Sequence, residues 1–253
     1  MSLGRKLFPG STSSAPDPIT TDLKLHWNTA QTSGSGATGT LNALVGSATG
    51  DMVDSADVNK SSGQTDSAGN EGWLFQDGGS TNTQLVASQD IYTFMGSSGT
   101  NWSVEIWARI DSKQASDSVF FNSWQSTENF IIGLYGASSS STEGGMHSLV
   151  KTSGGNNYVN VGSNLNYGSF AQYVVVADNT TVKTYVNGSA DGSVSNTTGA
   201  PNTGSANFVI GGRYSYTDKS WNGLFRICRV YAKALSASEV LNNFNANKAD
   251  FGL

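Results

Sequence analysis

The sequence predicts an all-β chain, folded as a two-layer antiparallel sandwich with one short helix near its C-terminal end. Three observations lead there. Apolar residues make up 37% of the 253 and charged residues only 13%, so solubility rests on neutral Ser, Thr, Asn and Gln. That palette suits strands and turns and leaves few Glu/Lys pairs to support helices. The 30 glycines and the Asn-Gly and Asp-Gly steps interrupt the chain at short intervals, the spacing of many short strands joined by tight turns. Strands do not alternate with helical patterns of about 10–15 residues, as a parallel βαβ fold requires. The length fits one domain.

Residues 1–19 read as an extended arm. Pro9, Pro16 and Pro18 block regular hydrogen bonding, and the Ser/Thr cluster between them has nothing to bury. If ordered, such an arm is expected to dock on a partner. The sandwich then occupies residues 20–253. Leu23, Leu25 and Trp27 are expected on one face of a first strand, with Lys24, His26 and Asn28 on the solvent side. Residues 29–72 read as long loops around one or two short strands. Strand signals follow at Trp73 to Phe75, at Gln84 to Ser88, and most strongly at Asn101 to Ile110. In that last segment Val104, Ile106, Ala108 and Ile110 share one face; Ser103, Glu105, Trp107 and Arg109 share the other, so both faces carry bulk.

More strands are predicted at Val119 to Trp124, with Trp124 in the core, and at Phe130 to Tyr135, His147 to Thr152 and Asn157 to Gly162. Two hairpins should turn at Asp178-Asn179 and at Asn187-Gly188, the latter suited to a type I′ turn. The stretch NFVIGGRY and the apolar run from Trp221 to Tyr231 complete the strands. Ser236 and Glu239 form a capping-box signature, and Val240, Leu241 and Phe244 give about two turns of apolar stripe. A helix so short must lie against the sandwich to persist.

Net charge is -5 and the 14 basic residues are scattered, which argues against a nucleic-acid partner. The single cysteine, Cys228, reads as a small buried hydrophobe, and no intrachain disulfide can form. The first residues hold Arg5 and Lys6 but no signal-peptide apolar run, and no stretch is long and apolar enough to span a membrane. The expectation is synthesis in a cytoplasm with release by some route other than a standard secretion signal.

Four blocks, in order, resemble the laminin-G-like branch of the concanavalin A-like jelly rolls: WLFQDGGSTNTQLVAS, NWSVEIWARI, VKTYVNGSADG and FVIGGRYSYTDKSWNGLFRICRVYAKALSASEV. The resemblance implies two curved antiparallel sheets face to face, with ligand sites in rim loops or on the concave sheet. Where members of that family often carry acidic residues after an aromatic-x-Gly step, this chain reads Phe225-Arg226-Ile227. Calcium needs several oxygen ligands and would be repelled by Arg226. The acidic cluster Asp51, Asp54, Asp57, Asp66 and Glu71 lacks EF-hand spacing and reads as solvated loop. No cofactor or metal is therefore expected, although an ion held by loop carbonyls would leave no sequence signature.

Related glucanases carry a Glu-x-Asp-x-x-Glu string, and none occurs here. Glu105 and Arg109 read as an ion pair on a sheet face. His26 and His147 are not in the context of a serine nucleophile, and no Gly-Gly pair leads into a phosphate loop. A non-enzymatic recognition role is expected. Tyr214, Tyr216 and Trp221, with Asp218 and Asn222, are the residue types that stack on sugar rings and bond their hydroxyls, and they form the candidate carbohydrate site.

The tail, LSASEVLNNFNANKADFGL, is similar to the C-terminal ends of virion proteins of tailed bacteriophages. This resemblance implies a structural protein on the virion surface, a capsid decoration or a tail or fibre component. It would be made in the host cytoplasm and attached to other virion proteins by the N-terminal arm, as a homo-oligomer that displays a lectin-like domain to host-surface glycans. The alternative is a bacterial carbohydrate-binding or adhesion module.

Overall fold

The computed structural model describes residues 15–29, 40–46, 49–53, 64–65, 71–75, 84–95, 100–113, 117–125, 128–135, 145–152, 155–160, 167–195, 207–211 and 221–253. In chain order the strands are β1 (Leu23–Asn28), β2 (Thr40–Asn42), β3 (Thr49–Val53), β4 (Gln64–Thr65), β5 (Glu71–Phe75), β6 (Gln84–Ala87), β7 (Trp102–Lys113) and β8 (Asp117–Gln125). They continue with β9 (Glu128–Tyr135), β10 (Gly145–Thr152), β11 (Gly155–Asn160), β12 (Phe170–Ala177), β13 (Thr181–Val186), β14 (Ser189–Ser195), β15 (Val209–Ile210) and β16 (Trp221–Tyr231). Helix α1 (Ala237–Asn247) follows, and a 3-10 turn at Lys248–Phe251 ends the ordered elements.

Two eight-stranded antiparallel sheets result. The first runs β14-β13-β12-β7-β16-β5-β4, with β1 also paired to β16; the second runs β11-β10-β9-β8-β15-β6-β3-β2. One edge of β16 lies along β7 from Trp221 to Tyr231. Its other edge is shared, with β5 against Gly223 to Phe225 and β1 against Ile227 to Tyr231.

The alternation predicted for β7 is the one that builds the core. Val104, Ile106, Ala108 and Ile110 point between the sheets, where they meet Leu25, Trp27, Tyr173, Val175, Phe225 and Cys228 from the same sheet and Leu85, Phe121 and Ile210 from the other. Phe208 is central: its ring lies 5.0 Å from Trp27 and 5.0 Å from Phe121, with Phe94 edge-on at 6.1 Å. Phe94 belongs to a 3-10 turn, Ile91–Phe94, whose amides at Tyr92 and Thr93 donate to the Asp90 carboxylate; the sequence reading passed over it. Among its described residues the segment 29–72 holds three short strands and the start of a fourth where one or two were expected. The side chain of Trp124 lies outside the described residues.

Two expectations about β1 need correction. A bulge between Leu23 and Leu25 breaks the period, so Leu25 and Trp27 enter the inter-sheet core while Leu23 packs on the outer face with Tyr231, Val174 and Val240. An extra residue in one strand of a pair turns the following side chains over. His26 lies opposite Arg229, half-buried where solvent was expected. The Leu44–Val45 segment covers it, with His26 N–H donating to Val45 O and Leu44 N–H to His26 O.

The Asn187-Gly188 hairpin has φ 50 and φ 76 at its two central residues, the left-handed pair that a type I′ turn requires. At the Asp178 turn, hydrogen bonds from Thr180 and Thr181 hold the Asp178 carboxyl well below the usual carboxylate range, against the opposing effect of burial. The capping box of α1 forms as predicted, with Glu239 N–H donating to Ser236 Oγ and Ser236 N–H to Glu239 Oε2. The helix is longer than two turns and buries Val240, Asn243 and Asn247, while Leu241 is exposed.

Candidate functional site

On the outer face of the first sheet, β7 presents Ser103, Glu105, Trp107 and Arg109, and β16 presents Ile227, Arg229 and Tyr231. Helix α1 and the turn after it cover this face. Trp107 lies parallel to Phe251, with centroids 4.4 Å apart, and to Phe244 at 5.9 Å. Phe170, Leu224 and Ile227 complete that apolar patch.

Glu105 is the centre of the polar part. Its Oε1 accepts from Trp107 Nε1 at 2.8 Å, Gln172 Nε2 at 3.0 Å and Arg229 Nη1 at 3.0 Å. Its Oε2 accepts from Asn243 Nδ2 at 2.8 Å. The expected partner, Arg109, pairs with Asp111 instead, through Nε and Nη2 at 2.7 Å each. Cross-strand register explains the change: Arg229 stands directly opposite Glu105, whereas a residue four positions along the same strand is about 13 Å away.

The network extends to both ends of the described chain. Arg229 Nη2 donates to Asn247 Oδ1 at 2.9 Å, and Asn243 Nδ2 donates to Tyr231 Oη at 2.9 Å. Tyr231 Oη donates to Ile19 O at 3.3 Å, Ile19 N–H to Asn243 Oδ1 at 2.7 Å, and Asn242 Nδ2 to Asp17 O at 2.8 Å. Burial, reinforced by the Glu105 charge, pushes the Tyr231 hydroxyl and the Cys228 thiol far up, so neither ionises at neutral pH. Burial first, and the Arg229 charge second, lower His26 to about 4 against the pull of Glu105, leaving it neutral.

This arrangement is suited to holding and not to proton transfer. Glu105 is fully buried, and all four donors it meets are fixed. A retaining or inverting glycosidase needs a second carboxyl facing the first across the substrate; the nearest charged partner of Glu105 is a guanidinium. Among the described residues no three His, Cys, Asp or Glu side chains converge on a point that could hold a metal. At the position where calcium ligands were considered, the Arg226 guanidinium sits over the Phe251 ring at 5.9 Å, so these residues do not fit the ion.

Of the candidate carbohydrate residues, Tyr214, Tyr216 and Asp218 lie outside the described residues, as do Asp54, Asp57 and Asp66 of the acidic cluster. Trp221 opens β16 opposite Lys113, and Asn222, half-buried, follows opposite Ser112. Both lie at the start of β16, before Leu224, which stands opposite Arg109. Sequence reasoning missed Arg229, Gln172, Asn243 and Asn247 as a group. Only the parity of Glu105 and Arg229 on adjacent apolar strands hinted at it.

A family model described as the concanavalin A-like lectin/glucanases superfamily matches residues 77–241. No protein of curated function matches the sequence. Several solved structures share the fold. Domain 4 of an extracellular arabinanase from Geobacillus stearothermophilus, in complex with arabinotriose, aligns with TM-score 0.53 and 16% identity over 88% of this chain and 98% of that one. Botulinum neurotoxin type C, whose cell entry depends on two ganglioside molecules, aligns with TM-score 0.64 and 13% identity over 89% of this chain and 51% of that one. A Trypanosoma rangeli sialidase with a bound difluoro-KDN ligand gives TM-score 0.60 and 12% identity over 92% of this chain and 34% of that one. This chain thus spans about half of the neurotoxin chain and a third of the sialidase, and nearly all of the arabinanase domain.

Proposed function

The chain belongs to the concanavalin A-like lectin/glucanase superfamily, and from that premise we propose that it is a non-catalytic module that recognises glycans. The observation that carries this reading is the state of Glu105. The acid best placed for chemistry on the Trp-bearing strand is buried under α1 and saturated by four donors. Binding is then left to the rim, where Trp221 and Asn222 open β16 and the candidate residues Tyr214, Tyr216 and Asp218 precede it in sequence. The glycan or ganglioside named for two of the fold's neighbours supports this class of ligand. A glycan array tests it: specific hits are expected, with affinity falling about tenfold in Trp221→Ala, the worth of one aromatic stacking contact. An array without hits would count against the reading.

A second reading concerns where the module works. We infer display on the surface of a tailed-phage virion, assembled after synthesis in the host cytoplasm, with the segment before Ile19 joining other virion proteins or further copies of the chain. Support comes from the phage-like tail sequence and from the way residues 17–19 are tied to α1, which gives the segment before them a fixed point of departure. Deleting residues 1–14 should leave a folded protein that no longer joins its particle; undiminished incorporation would reject the role.

A further inference from the structure

The sequence contains two Asn-Gly steps, Asn187-Gly188 and Asn222-Gly223. Asn-Gly is chemically the least durable dipeptide of a protein chain, because the unhindered glycine amide can attack the asparagine side chain. Asparagine is accordingly counted among the thermolabile residues. The first step sits at the tip of the β13–β14 hairpin, in a position that no element of the proposed binding function uses.

Gln172 on β12 grips this tip three times. Its backbone N–H donates to Asn187 Oδ1 at 2.9 Å, its backbone carbonyl accepts from Asn187 N–H at 3.0 Å, and its side-chain Oε1 accepts from Gly188 N–H at 3.0 Å. The far end of the same side chain donates to Glu105. Attack requires the Gly188 nitrogen to lose its proton and swing onto Asn187 Cγ. Both the attacking N–H and the side-chain oxygen of the group to be attacked are held by Gln172, and these bonds must give way before the two can meet.

We propose that Asn187-Gly188 is a latent deamidation site held shut by Gln172, and that its isoaspartate product unlatches the hairpin from helix α1. The chemistry needs only water. The Gly188 nitrogen bonds to Asn187 Cγ as its proton leaves, the Cγ–Nδ2 bond breaks and ammonia departs. Water then opens the resulting succinimide at either carbonyl. Opening at one gives aspartate, which still offers an oxygen to the Gln172 amide. Opening at the other gives isoaspartate, which lengthens the main chain by one carbon beside Gly188. Gly188 packs closely on the helix there: a Cβ placed on it would lie 3.0 Å from Leu241 Cδ1 and 3.1 Å from Phe244 Cβ, so the neighbours must shift to make room.

The test is peptide mapping by mass spectrometry, with isoaspartate quantified at both Asn-Gly steps during incubation in mildly alkaline buffer. In urea-unfolded chain the two steps should react at similar rates. In the folded protein Asn187 should be slower by about thirtyfold, the worth of two hydrogen bonds that must break before attack. In Gln172→Met, which removes one of those bonds, the rate at Asn187 should rise about fivefold, with Asn222 unchanged. Asn222 is the internal control, because a variant that merely unfolds would accelerate both steps together. Equal acceleration at the two steps, no acceleration at Asn187, or a native rate at Asn187 equal to the unfolded one would each overturn the proposal.

Discussion

The space between the sheets and the outer face beneath α1 both exclude water, and they do so by opposite chemistry. Between the sheets the side chains are nearly all apolar, centred on Phe208 against Trp27, Phe121 and Phe94. Their stability follows buried area and close packing, which tolerate changes of identity as long as volume is kept. Beneath the helix the centre is a carboxylate and a guanidinium with two asparagines, a glutamine and an indole N–H around them. There stability depends on specific partners, because a group that loses its partner carries the cost of its desolvation. The first region can hold many sequences; the second specifies one arrangement of helix on sheet.

Four measurements sharpen or break that contrast. The largest expected effect is Glu105→Leu, which leaves Arg229 buried without its counter-charge and should cost about 4 kcal/mol in urea denaturation. Adding Arg229→Met should restore the part of that loss due to the unpaired charge, while Trp107, Gln172 and Asn243 stay without their acceptor; a double variant no more stable than the single would refute the account of the pair. Phe208→Ala should cost nearly as much, about 3–4 kcal/mol, but no second substitution at a facing position of the apolar core should rescue it comparably.

The third effect is pH dependence. His26 titrates near 6.5 in the unfolded chain and near 4 in the folded one, so the unfolded state binds the extra proton between those values. Stability is therefore complete above pH 6.5, falls as pH drops towards 4 and levels off below, by a total of about 3 kcal/mol. His26→Gln should remove this slope. The lowered carboxyls of Asp178 and Glu239 begin to add their own losses as pH falls through about 4.5, so the His26 slope is read alone between about pH 6.5 and 5 by following unfolding midpoints. The smallest effect is Ser236→Ala, which removes the hydroxyl that accepts from Glu239 N–H and should cost about 1 kcal/mol, visible as a small drop in thermal midpoint.

How much of this was legible beforehand divides along the same line. The alternation in β7, the left-handed pair at Asn187-Gly188 and the Ser236–Glu239 box are local patterns, each set by residues a few positions apart, and each gave its element correctly. The partner of Glu105 is not local. Arg229 lies 124 residues away, and only the register of two strands decides that it, and not Arg109, faces the acid. Asn243 and Asn247 look like the solvent side of a helix until the polar patch beneath them is known. The bulge that turns Leu23 away from Leu25 leaves no mark in the alternation. At the proposed glycan rim, Trp221 and Asn222 fall together at the start of β16, while Tyr214, Tyr216 and Asp218 lie outside the described residues.

Long separation also governs how the chain is made. The strand carrying Glu105 leaves the ribosome well before its counter-ion, and Asn243 follows only 138 residues after the acid. Throughout that interval the nascent polypeptide holds an ionised group that cannot be shut away. The sandwich can therefore close its outer face only after the segment carrying Arg229 and helix α1 has emerged, and such non-local closure is slow. A product stalled before that segment would stay open to chaperones and proteases, so helix α1 doubles as a checkpoint on closure of this face.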